Sequence, residues 1–150
     1  MSFDFDELLS KGFDAANLVI QNNNEINAVF DDLEASLTKF LGIKITLIED
    51  IEYENKTKNP LMLTSSIFEP RKRTGYNSIS IYSEEADIKR RIMKIKRSNE
   101  GYPIVVVDGK NHYLSDNQRE FVEAVGSVIV NPQTHLTFRA FKESYEKALK

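Results

Sequence analysis

Two histidines, His112 and His135, are the only imidazoles in the chain, and cysteine is absent. Thiolate nucleophiles, disulfide staples and cysteine-bound zinc are thereby excluded. Neither histidine lies in an H-x-x-H or H-E-x-x-H spacing, the patterns that bring two imidazoles to one metal. His112 reads as a strand-surface residue and His135 as a cap-region residue near the start of the last helix. The serines include no G-x-S-x-G elbow, and neither G-x-x-x-x-G-K-[ST] nor G-x-G-x-x-G occurs, so the standard acyl-transfer and phosphate loops are missing. A metal-dependent nuclease needs carboxylates on neighbouring strands and a lysine to orient water. Asp50, Glu54 and Lys56 supply the residue types. On one strand, however, Asp50 and Glu54 would stand roughly 13 Å apart, which is the spacing of a solvated strand edge. The expectation is a non-enzymatic protein with no catalytic residue, metal or cofactor.

The remaining chemistry is charge. EPRKRTGY, residues 69–76, carries three consecutive bases, Arg71, Lys72 and Arg73. Arg71, Lys72, Arg73 and Tyr76 there, with Arg90, Arg91, Lys94 and Lys96 two elements later, form a candidate basic patch for a partner. Tyrosine beside cations suits stacked nucleic-acid bases, yet the overall pI of about 5.5 is far below that of a typical nucleic-acid domain. An acidic protein surface, nucleic acid and plain solvent are therefore all open as what this patch meets. Opposed to it stands an acidic set: Asp31, Asp32 and Glu34 on a helix, then Asp50, Glu52 and Glu54 on the first strand. Such a surface suits a basic protein groove, where it would stand in for a phosphate backbone and steer association.

These patches follow from block-wise charge. Residues 1–55 hold 12 acids and 3 bases, and residues 56–97 hold 11 bases and 4 acids, within a net charge of −3. Either the molecule shows two surfaces of opposite sign or the blocks neutralise each other within the fold. A chain of 150 residues reads as one domain, 1–150, able to bury a core without staples. The N-terminal MSFDFDELLS lacks the basic start and apolar stretch of a signal peptide. No apolar run approaches the roughly 20 residues that span a bilayer. A cytoplasmic protein without membrane contact is expected.

Several elements must position these residues. From Phe5 the apolar positions step by 4 and 3 through Leu9, Gly12, Ala16, Val19, Asn23, Ile26, Phe30, Leu33, Leu37 and Phe40, a heptad seam. Leu8, Phe13, Ile20, Val29 and Leu41 widen it beyond a two-stranded coil. One helix of that length would reach roughly 57 Å at 1.5 Å per residue, against a domain diameter of about 40 Å. Asn22, Asn23 and Asn24 favour caps and turns, which predicts a break into helices 4–21 and 25–41 and a monomeric αα-hairpin. The competing reading is a continuous helix that pairs with a second copy.

Beyond Gly42 the period becomes two, with Ile43, Ile45, Leu47, Ile51 and Tyr53 on one face and Asp50, Glu52 and Glu54 on the other. NKTKNP turns the chain, Leu61–Phe68 reads as a second strand, EPRKRTGY as a projecting loop, and Ile79 and Ile81 as the core face of a third strand. SEEAD is a turn capped by Ser83, and a basic strand follows over residues 90–98. Asp108-Gly109 predicts a type I′ hairpin, Ser115 to Gln118 a capping box, and Pro132 the first turn of the last helix. The fold class expected is α+β: an N-terminal helical segment, a mostly antiparallel sheet of about five or six strands, and two C-terminal helices packed on one face. The function expected is an intracellular binding protein, an adaptor or an inhibitor of immunity or anti-defence type, working through charged surfaces. The alternatives are a nucleic-acid-binding accessory protein using 70–76 and 89–97, and a secretion-chaperone-like homodimer built on the N-terminal helical segment.

Overall fold

The structure is a computed structural model that describes residues 3–54 and 70–150. Helix α1 spans Phe5–Leu41, and five strands follow: β1 Thr46–Tyr53, β2 Arg73–Ser83, β3 Ile88–Ser98, β4 Gly101–Asp108 and β5 Asn111–Ser115. Two helices complete the chain, α2 Gln118–Ile129 and α3 Pro132–Ala148. The strands form an antiparallel meander in chain order, so the molecule is α+β. The turn over 55–60, the strand expected over 61–68 and Glu69 lie outside the described residues.

Alternation along the strands decides where the core sits. Ile79 and Ile81 of β2, Ile95 of β3, and Ile104 and Val106 of β4 are buried. They meet Ile26, Leu33 and Leu37 of α1, Phe121, Val125 and Val128 of α2, and Phe138 and Phe141 of α3. Residues between them, such as Ser78, Lys94 and Val105, point to the opposite face, as the two-residue period of a strand requires.

The expected break in the first helix does not occur: α1 runs unbroken for 37 residues. Asparagine breaks helices because its amide competes for the backbone, and here Asn22 turns its amide to a tertiary partner while Asn23 bonds one turn back within the helix and meets a tertiary donor with its oxygen. Asn22 Nδ2 donates to Glu100 O at 3.0 Å, and Asn23 Nδ2 donates to Val19 O at 3.1 Å. Asn23 Oδ1 also accepts from Arg97 Nη1 at 3.5 Å. Gly101 marks the same place from the sheet side. Its φ of +96° and an approach of 2.9 Å between Asn22 Cβ and the position of a Cβ on residue 101 leave room for glycine alone. Helix α1 is capped at its start by Asp4, whose Oδ1 accepts from Glu7 N, and at its end by left-handed Gly42.

Three local expectations are corrected. In the β4–β5 hairpin Asp108 pairs with Asn111, so Gly109 and Lys110 form the turn. Only Gly109 of the two has positive φ, the pattern of a type II′ turn instead of type I′. Asn117, not Ser115, caps α2 by accepting from Glu120 N, while Glu120 Oε1 reaches back to Asp116 N. Ser115 instead ends β5 and is buried. EPRKRTGY is not wholly a loop either, because β2 begins at Arg73. Ser83 does cap the β2–β3 turn, accepting from Ala86 N, and Pro132 does open α3 behind its Asn131 cap.

Candidate protein-interaction site

The two charged patches meet each other. Strand β2 separates β1 from β3 by a single strand, a distance long side chains cross. Lys89 Nζ bonds Asp50 Oδ2 at 3.0 Å and Lys94 Nζ bonds Glu52 Oε1 at 3.0 Å, with Arg91 3.9 Å from Glu52 Oε2. The acidic strand and the basic strand therefore neutralise one another on the face opposite the core. On the core side Arg97 grips Glu49 with two nitrogens, at 2.7 and 3.2 Å, and lies 5.7 Å from the Phe30 ring centre. Tyr82 donates to Asp87 at 3.0 Å. That bond, followed by burial and by the charges of Asp87 and Glu84, raises the phenol pKa.

The other residues of the two patches are dispersed. Lys96 Nζ sits 5.7 Å from the Tyr76 ring centre, within cation–π range. Arg90 faces the helices and donates to Ser144 Oγ at 3.3 Å. Arg71 and Lys72 precede β2 and are exposed, as is Arg73 at its first position. Lys72 O accepts from Glu54 N at 2.7 Å, which places Glu54 beside this segment. Glu34 accepts from Leu47 N at 2.9 Å and thereby ties α1 to β1. Asp31 is exposed, and Asp32 lines a groove of about 560 Å³ between α1 and α2 with Val29, Leu33, Val122 and Ile129.

The two histidines lie on different elements, His112 on β5 and His135 on α3. His112 is exposed on β5. His135 stands 2.8 Å from Ile129 O, closing the end of α2, with its ring edge-on to Phe40 and Phe138. The described residues contain no cluster of three or more metal-ligating side chains, and none of their helices is long and apolar enough to cross a membrane. Lys56 lies outside the described residues.

The surface that the charge pattern did not reveal is apolar. From Phe3 to Leu18 every residue of the chain is exposed, and burial on α1 begins only near Val19. This N-terminal part of α1 is an arm extending beyond the sheet and helices. It carries Phe3, Phe5, Leu8, Leu9, Phe13, Leu18 and Ile20, with Leu9 at 70% exposure and Phe13 at 67%. Phe5, Leu8, Leu9, Phe13, Val19 and Ile20 share one side of the helix, following the unbroken step of 4 and 3. Monomeric proteins rarely leave so large a contiguous apolar surface uncovered. The signal was present in the width of the stripe, where Leu8, Phe13 and Ile20 stand at flanks that a solvated helix fills with charge. In comparison with known proteins, no family model matches the chain, and no curated protein or solved structure resembles it detectably.

Proposed function

We propose that this is a non-enzymatic binding protein, an adaptor or inhibitor, whose binding element is the apolar arm of α1. The exposed stripe over residues 5–20 carries the reading. Phenylalanine and leucine side chains buried against another polypeptide gain about 25 cal/mol per Å², a return unavailable to them in water. The internal pairing of Asp50 and Glu52 with Lys89, Arg91 and Lys94 weighs against charge as the principal source of affinity, since paired exposed ions contribute little. It leaves charge the role of orienting an encounter. Among the readings open from sequence, the long continuous helix favours the chaperone-like architecture, in which an N-terminal helix organises an assembly.

The test is face-specific. A photo-crosslinking residue placed at Phe13, on the apolar side of the arm, is expected to give a polypeptide adduct in cells expressing the full chain. The same probe at Asp14, turned away from the stripe, is expected to give little. Equal yields at the two positions, or none at either, overturn the reading.

A further inference from the structure

We infer that the arm's occupant is the arm of a second copy of this chain, packed antiparallel about a dyad between Ser10 and Lys11. The inference rests on the reading of the arm as a protein-binding element and names its partner. Four observations lead to it.

The first is direction. The stripe on residues 5–19 continues without a slip into Ile26, Leu33 and Leu37, which are buried against the chain's own sheet. Two copies paired in parallel along this seam would drive their sheets into the same space. Reversing one copy sends the two bodies to opposite ends of the arm pair, and both seams stay free. Reversal also separates the acidic starts of the helices, Asp4, Asp6 and Glu7, and opposes the two helix dipoles.

Register is the second. An antiparallel pair stacks a positions against d′, and overlaying the span Phe3–Leu18 on itself fixes which layers form. Phe5 then meets the second copy's Ala16, and Leu9 meets its Gly12. Every core layer combines one large with one small side chain, the arrangement that fills space between close helices. Among the described residues nothing lies within 4 Å of the position a Cβ would take on Gly12, so no contact among them explains a glycine in the middle of a helix. A facing leucine does.

Area is the third. Phe5, Leu8, Leu9 and Phe13, the large residues of the stripe within the overlap, are each more than half exposed. With the roughly 200 Å² of an aromatic side chain as the measure, they offer on the order of 500 Å² per copy, so a pair reaches the roughly 1,000 Å² in total that a specific interface must clear.

Stability of the arm is the fourth. A lone helix of this length is marginal in water, and its residues 5–18 are all exposed and not rich in alanine. A second arm supplies the missing packing.

The absence of cysteine makes the register directly measurable in the full chain. Sedimentation at tens of micromolar is expected to give about twice the 17.2 kDa chain mass. Leu9→Asp is expected to weaken the dimer by at least about a hundredfold, since it buries an unpaired carboxylate, while the cooperative unfolding of the body stays unchanged. Phe5→Cys and Ala16→Cys, mixed as separate proteins and oxidised, are expected to yield the mixed disulfide in preference to either homodimer. A Phe5→Cys homodisulfide in excess overturns the antiparallel arrangement. A monomeric wild type overturns the inference altogether. If that monomer still gives the Phe13 adduct with another polypeptide, the binding reading survives alone, and if it gives none both fall.

Discussion

Arg97 joins three elements of the molecule, β3, β1 and α1. Its guanidinium holds Glu49 on β1 through two nitrogens, touches Asn23 and Asn27 on α1 at 3.5 and 3.4 Å, and lies against Phe30. It therefore fixes the helix to the sheet where the arm departs. Both members of the pair are largely covered, with about a quarter of each side chain exposed, so removing the arginine strands a partly buried carboxylate. Arg97→Ala is expected to cost about 1.5–3 kcal/mol in denaturant unfolding, the range for hydrogen bonds to charged groups. Arg97→Lys is expected to recover less than half of that, because a single ammonium cannot reproduce the two-pronged contact. A lysine variant as stable as wild type would show that charge alone matters there. Gly101 acts at the same junction from the backbone. Gly101→Ala places a methyl group 2.9 Å from Asn22 Cβ at a φ of +96°, so a loss of about 1–3 kcal/mol is expected, read in the same unfolding experiment.

At the scale of elements, α1 is two helices in behaviour though one in geometry. Residues 26–41 supply the buried side chains of the helix, whereas residues 5–18 are all exposed. Amide exchange over residues 5–18 is expected to slow as protein concentration rises, and that over 26–41 to stay constant. In Leu9→Asp the arm is expected to exchange at least about tenfold faster than in concentrated wild type, because local opening follows local packing. Concentration-independent protection of the arm would contradict this division.

The same helix shows what sequence could and could not carry. Its heptad seam, its Gly42 stop, the alternation of Ile79 and Ile81 and the turn at Ser83 were all legible, because each depends on neighbours in sequence. The continuity through Asn22–Asn24 was not, because it depends on Glu100 and Arg97, more than 70 residues away. The shift of the α2 cap from Ser115 to Asn117 has a similar origin: the buried end of β5 claims Ser115 first. Residue types at the charged patches were legible too, but their mutual pairing required knowing that β1 and β3 flank a single strand.

Across the whole molecule the charge blocks of the sequence fold back on themselves, and this decides what the basic residues can do for a partner. Lys89 and Lys94 already hold Asp50 and Glu52, and Arg91 stands near Glu52, while Arg90 is turned toward α3. Nucleic acid would have to displace these pairs, within a chain of net charge −3, so counterion release from phosphate contacts has little to draw on. The expectation is that wild-type protein retains no duplex DNA or RNA at about 150 mM salt, measured by fluorescence anisotropy. The exposed Arg71, Lys72 and Arg73 provide the decisive control. If binding is seen at lower salt, their joint replacement by alanine should flatten the logarithmic salt dependence by up to about 0.9 per lost phosphate contact on duplex DNA. Glu52→Gln, which releases Lys94 and Arg91, is expected to strengthen that low-salt binding instead. Tight, salt-resistant binding by the wild type would mean that the cations of β3 exchange their carboxylate partners for phosphate, and would move the function of this protein from its apolar arm to its sheet.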